Sequence, residues 1–129
     1  MPFKFIRRLV LLGLVSAGKV NADVTPEDFV AKTTQNLINL CTASPQDSQY
    51  QAAIHFCQGY LVGAYQYYVA VSTNNPALQL VCFSEPKPSR NDAIDQFISW
   101  MQKHPEYLSE TPVETEFRFL SERWSCKKS

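Results

Sequence analysis

The most reactive side chains of this sequence belong to four cysteines, at positions 41, 57, 82 and 126. No two of them form the closely spaced pair, such as C-x-x-C, that zinc binding uses. An even number of cysteines in a small exported chain instead predicts two disulfide bonds. Three pairings are open, and we favour Cys41 with Cys57 and Cys82 with Cys126. The first of these bonds requires the chain to fold back, or the helices to cross, after Cys41.

Two histidines are the remaining candidates for a catalytic base. His55 lies two residues before Cys57, a spacing at which two side chains of a helix point in different directions. His104 precedes a proline at the end of a predicted helix, where an imidazole can interact with free carbonyl groups. Neither spacing predicts a catalytic histidine.

Acidic pairs and phosphate-binding motifs give no further indication of catalysis. Asp92 with Asp95, and Glu110 with Glu114, lie near the N-termini of predicted helices, where helix electrostatics accounts for them. The sequence contains no glycine-rich phosphate loop after a strand and no G-x-S-x-G element. We therefore predict no catalytic, cofactor-binding or metal-binding residue, and a protein that is not an enzyme.

Residues 1–22 have the organisation of a secretory signal peptide. Basic residues up to Arg8 precede the apolar run 9–17, and Val20, Asn21 and Ala22 precede a cleavage site at Asp23. The apolar run is shorter than the roughly 20 residues that span a membrane. The sequence predicts export to the periplasm, with secretion as the alternative, and no membrane attachment after cleavage.

Residues 23–129 have the length of a single domain. Eight basic and twelve acidic residues give this segment a formal charge of about −4. A negative charge argues against nucleic acid or an anionic membrane as the partner. It suits either a merely solvated acidic surface or a chain that meets the basic surface of another protein, and charge alone favours the first interpretation.

Residues 48–73 lie in the longest segment without proline and predict the central helix. Apolar side chains occur on more than one of its faces, so we expect neighbouring elements on most sides. Gly59 and Gly63 lie one turn apart, and each costs about 1 kcal/mol of helix stability relative to alanine. Their spacing predicts that another helix or chain packs closely against this face.

Capping residues mark the other helices. Thr25 begins a first helix that should run to about Leu40, Ser89 caps a third that ends at His104, and Thr111 opens the last with a capping box. The buried face of the last helix is predicted to consist of Val113, Phe117, Leu120 and Trp124. Together these elements predict an all-α fold, a compact bundle of about four helices fastened by two disulfides.

Four short motifs follow the predicted signal peptide. They are CQGYLVG at 57–63, Val81–Cys82 before a loop with two prolines, KHPEYL at 103–108 and Trp124–Cys126. In this order and spacing they resemble the Tai/Rap-type immunity proteins of bacterial type VI secretion systems, which neutralise peptidoglycan amidase effectors in the periplasm. Phe83 and Ser125 stand where similar proteins often carry proline.

The resemblance implies a helical domain over residues 23–129, often a homodimer, that plugs the active-site cleft of an amidase effector with a protruding loop or helix end. A stiff projection suits that role, because preorganisation lowers the entropic cost of binding. Segments 84–89 and 105–111 fit this description, with Glu85, Lys87, Glu106 and Tyr107 as candidate contact residues. The alternative is a periplasmic or secreted binding or chaperone-like protein without a cognate toxin.

Overall fold

The computed structural model describes residues 22–126. The predicted signal peptide, apart from Ala22, lies outside this range, as do the last three residues. Within the range, no helix combines the length and the hydropathy that crossing a membrane requires.

Four α-helices make up the bundle formed by residues 22–126, which confirms the predicted all-α fold class. They are α1 (Thr34–Cys41), α2 (Tyr50–Ser72), α3 (Arg90–Met101) and α4 (Pro112–Arg123). Short 3-10 turns occupy Asp28–Val30, Pro76–Leu78 and Pro105–Tyr107. The only β pairing in this part of the chain is an isolated antiparallel bridge between Val81 and Ser125.

The core lies where α1, α3 and α4 meet one face of α2. Its largest fully buried apolar side chains are Phe97 of α3 and Leu37 and Leu40 of α1. Helix α4 contributes further aromatic and aliphatic groups, and α2 adds smaller ones. These other members of the buried cluster include Ala53, Cys57, Leu61, Met101, Phe119, Leu120 and Trp124.

Two disulfide bonds fasten the bundle in the pairing that we favoured. Cys41 at the end of α1 bonds to Cys57 of α2, with 5.1 Å between their Cα atoms. Cys82 bonds to Cys126 and joins the segment after α2 to the end of the described chain. The connection 42–49 therefore folds back, as the first bond requires.

The first predicted helix is interrupted, so its expected start at Thr25 is wrong. Asp28–Val30 form a 3-10 turn, and Ala31 has a left-handed backbone with φ 49°. A new helix then begins after Thr33, whose hydroxyl accepts a hydrogen bond from the Asn36 N–H at 3.3 Å. The reciprocal capping box between Thr33 and Asn36 stabilises this later start.

Helix α2 has neighbours on one side only, so the expectation of burial on most sides is wrong. Its 23 residues span about 35 Å, whereas α3 and α4, with 12 residues each, span about 18 Å. The shorter helices cannot cover its whole length. Tyr67 is 73% exposed, and Val69 and Val71 also face solvent.

The capping residues of α3 and α4 are those that the sequence predicts. The Ser89 hydroxyl accepts from the Asp92 N–H at 3.1 Å, and Thr111 and Glu114 form a capping box. The predicted buried face of α4 is wrong at Val113, which is 42% exposed. Thr115 is buried against α1 instead, where its hydroxyl accepts a hydrogen bond from the Thr34 hydroxyl at 2.7 Å.

Candidate functional site

The loop 84–89 projects from the bundle between Phe83 and the start of α3. Every residue in it is exposed except Pro88, which is half-buried. Glu85 and Lys87, two of the predicted contact residues, lie here with their side chains facing solvent. The Glu85 carboxylate accepts a hydrogen bond from the Lys87 N–H at 3.3 Å, which closes a turn at the tip.

The start of this loop is attached to the end of α4 by covalent and backbone contacts. The Cys82–Cys126 bond crosses between the two segments. The Cys82 N–H donates to the Trp124 carbonyl at 2.8 Å, beside the bridge between Val81 and Ser125. The loop therefore leaves the bundle from a fixed point.

Aromatic packing holds the next residue in place. The Phe83 ring lies 4.9 Å from the Trp124 ring and 5.7 Å from the Tyr65 ring, measured between centroids. The Lys87 ammonium also lies over the Phe83 ring, 5.3 Å from its centroid. Ser89 then fixes the far end of the loop as the cap of α3. A loop held at both ends in this way is a preorganised projection.

The second candidate segment, 105–111, uses its side chains for internal contacts. Tyr107 is half-buried, stacked 5.6 Å from Trp100 and covered by the Arg118 guanidinium at 4.5 Å. Glu106 accepts a hydrogen bond from His104 at 2.9 Å, which lowers the pKa of its carboxyl group.

The backbone of this segment is also attached to α1. The Gln35 N–H donates to the Leu108 carbonyl at 2.9 Å, and the Thr34 N–H donates to the Glu110 carbonyl at 2.8 Å. Segments 84–89 and 105–111 lie at opposite ends of α3, about 18 Å of helix apart. The four predicted contact residues therefore do not form one compact site. Of the two segments, the loop 84–89 is the more exposed to solvent.

Gly59 and Gly63 have no close neighbour in the described part of the chain. A Cβ atom built on either glycine would meet nothing within 4 Å. Packing of another helix of the same chain, one of the two reasons predicted for these glycines, is therefore wrong. The face of α2 that they share is open toward solvent.

The described range 22–126 offers no metal-binding cluster. No group of three His, Cys, Asp or Glu side chains there is arranged to hold a metal ion. His55 is exposed, and His104 stacks on Trp100 with 4.2 Å between the ring centroids. All four cysteines are in disulfides.

Glu116 is a chemically distinctive residue that no sequence motif indicates. It lies on the buried side of α4, is only 4% exposed, and its Oε2 atom has no hydrogen-bond partner among the described residues. Burial raises the pKa of its carboxyl group to about 9. Helical spacing could have located it, since Glu116 precedes the buried Leu120 by four residues.

A family model described as Rap1a immunity proteins matches residues 33–126. Neither the curated proteins nor the solved structures gave a significant match. The matched range contains all four α-helices, both disulfides and both candidate loops.

Proposed function

The chain belongs to the family of Rap1a immunity proteins, and on that premise we propose that it binds and occludes a peptidoglycan amidase effector of a type VI secretion system. The family match over residues 33–126 is the observation that carries the proposal. The protein acts by occupying the effector's cleft, without a reaction of its own. The identity of the effector class rests on the resemblance of the motifs at 57–63 and 103–108 to amidase immunity proteins.

The loop 84–89 is the element that enters the effector in this proposal. Its two ends are fixed by Cys82 and Ser89, so little conformational entropy is lost when it binds. Glu85 and Lys87 present charges of both signs at its tip. The net negative charge of residues 23–129 favours a partner with a basic rim around its cleft.

We place this encounter in the periplasm. The N-terminal sequence has the features of a signal peptide. Two disulfides are typical of proteins that mature in an oxidising compartment. Effectors that cleave peptidoglycan act in the same compartment, so partner and inhibitor meet there.

We also propose that the open face of α2 forms a homodimer. Gly59, Gly63, Tyr67 and Val71 follow one another at four-residue spacing along it. Absence of a Cβ at the two glycines lets a second helix approach the backbone. The exposed Tyr67 and Val71 then supply apolar surface to bury.

The proposed inhibition is tested by capture of the partner from periplasmic extract of the producing bacterium. The oxidised protein, purified after export, is immobilised, and the retained proteins are identified by mass spectrometry. Recovery of one stoichiometric amidase, lost when Glu85 and Lys87 are both replaced by alanine, supports the proposal. Recovery of many unrelated envelope proteins, or of none, contradicts it and favours a binding or chaperone-like role without a cognate toxin.

A further inference from the structure

A cavity of about 340 Å³ opens between α2, α3 and α4, beneath the loop 84–89. Its buried lining residues are mainly apolar and include Leu61, Phe97, Phe119 and Leu120. Half-buried groups such as Ala93 and Ile94 line it nearer the surface. A cleft of this size and composition matches the dimensions of small-molecule sites.

Glu116 supplies the one acidic group in the lining of this cavity. Its Oε2 atom is buried and has no hydrogen-bond partner among the described residues. A buried polar atom without a partner costs stability, so a ligand that pairs with it gains that free energy on binding. In its neutral form the carboxyl group offers one O–H donor and one carbonyl acceptor, which complement the C=O and N–H of an amide.

The entrance of the cavity is positively charged, in contrast to its apolar interior. Lys87, Ser89 and Arg90 line the cavity and are exposed, so two cations lie where the cavity meets solvent. An anionic group held at the entrance would interact with both cations and remain partly hydrated. The cavity therefore has an anion-binding mouth, apolar walls and a hydrogen-bonding carboxyl group among its buried lining residues.

We propose that this cavity binds a small N-acylated apolar amino acid, whose carboxylate lies beside Lys87 and Arg90 and whose amide pairs with Glu116. The apolar side chain and acyl group fill the space between them. A simple fatty acid would leave Glu116 unpaired, and an aliphatic amine would meet two cations at the entrance. This site does not depend on the proposed inhibition of an effector, and its test requires no protein partner.

The test is a ¹H–¹⁵N NMR titration of the oxidised protein with N-acetyl-L-phenylalanine. Binding should shift the amide signals of cavity-lining residues, with a dissociation constant near the millimolar range expected for a ligand of this size. N-acetyl-L-phenylalaninamide lacks the carboxylate, and 3-phenylpropionate lacks the amide, so each should bind about tenfold more weakly. Equal affinity for all three compounds, or no shift of cavity signals, overturns the proposal.

Variants test the two polar contacts separately. Glu116→Leu should weaken binding of N-acetyl-L-phenylalanine about tenfold, whereas Glu116→Gln should retain it, because a side-chain amide also pairs with an amide. The double replacement of Lys87 and Arg90 by glutamine should weaken it similarly, whereas Lys103→Gln, away from this cavity, should not. Circular dichroism verifies that each variant is folded. Undiminished binding by the folded Glu116→Leu variant contradicts the assigned contact.

Discussion

The ring of Phe83 packs edge-on against the indole of Trp124, with 4.9 Å between the ring centroids. The residue before Phe83, Cys82, is bonded to Cys126, two residues beyond Trp124. Aromatic packing and a covalent bond thus attach the base of the exposed loop 84–89 to the end of α4. The proposed inhibition depends on this attachment, because it gives the loop a fixed direction before any partner binds.

Removal of the Cys82–Cys126 bond should destabilise the protein more than removal of the other disulfide. The bond closes a loop with a sequence separation of 44, against 16 for Cys41–Cys57. Restriction of the unfolded chain then contributes about 4 kcal/mol for the first bond and about 3 kcal/mol for the second. Denaturant unfolding of the two double Cys→Ser variants measures both losses. A larger loss for the Cys41–Cys57 variant would contradict this ranking.

Replacement of Tyr68 by phenylalanine should lower the free energy of unfolding by about 1–2 kcal/mol. Its hydroxyl oxygen accepts hydrogen bonds from the N–H groups of Leu80 at 2.8 Å and Val81 at 3.0 Å. Phenylalanine leaves both donors without this acceptor, and Val81 is buried. Tyr67→Phe, at a 73% exposed position, is the matched control and should change stability little. Equal effects in thermal unfolding would exclude this role for the hydroxyl group.

Replacement of Asp28 by asparagine should cost about 2–3 kcal/mol at pH 7. Thr25 donates to Oδ2 through its N–H at 2.9 Å, and Asn39 donates to Oδ1 at 2.9 Å, with further bonds from the Thr25 hydroxyl and Asn36. Burial raises the pKa of this carboxyl group, but these hydrogen bonds outweigh burial and hold it below the usual value of 3.8.

The stabilisation by Asp28 is therefore present above pH about 4 and is lost as the pH falls through the lowered pKa. Urea unfolding of Asp28→Asn at pH 7 and pH 3 should show a smaller difference from the original protein at the lower pH. Glu27→Gln, an exposed neighbour, serves as control. A difference that is the same at both pH values would refute the charge-dependent part of this account.

Glu116 should make the protein less stable as the pH rises. Burial raises the pKa of its carboxyl group from 4.5 to about 9. The folded protein therefore holds a proton that the unfolded chain releases above pH 4.5, so the free energy of unfolding falls by up to about 1.4 kcal/mol per pH unit between these values. Tyr60 lies near enough to interact electrostatically with this carboxyl group, and Tyr65, Lys87 and Arg90 are the other ionisable residues that line the same cavity.

Glu116→Gln removes this titration and should stabilise the protein at pH 7 by on the order of 3 kcal/mol. At pH 4 the two proteins should have nearly equal stability. Denaturant unfolding at a series of pH values measures the difference, with the exposed Asp95→Asn as control. A glutamine variant that is less stable than the original protein at pH 7 would show that Glu116 is ionised and paired.

The features that could be predicted from sequence are those fixed by local chemistry. Ser89 caps α3 because its hydroxyl reaches the Asp92 N–H three residues away, and the Glu114 side chain reaches back in the same way to the N–H of Thr111 at the start of α4. The break at Ala31 was not predictable in the same way, because it depends on Asp28 reaching across to Asn36 and Asn39 of α1. Side-chain contacts between separate elements, such as these, leave no periodic signal in the sequence.

In the candidate site, too, local features could be predicted from sequence whereas contacts between helices could not. Two prolines and a neighbouring cysteine predict that the loop 84–89 is a stiff projection, and the loop is exposed in the structure. The packing of Tyr107 between Trp100 and Arg118 depends on how α3 and α4 lie together, so its motif gave no indication of burial. Gly59 and Gly63 are exposed because they lie on the face of α2 opposite the buried Cys57 and Leu61, and which face the bundle covers cannot be read from the glycine spacing alone.

The most direct test of the central claim is a titration of the captured partner's peptidoglycan-cleaving activity with the oxidised protein. We predict complete loss of cleavage at one chain per effector molecule. The Glu85→Ala, Lys87→Ala double variant should inhibit more weakly, while the Glu106→Ala variant, altered at the other end of α3, should inhibit as the original protein does. Full cleavage activity in a saturated complex would contradict the claim that this chain is an occluding immunity protein.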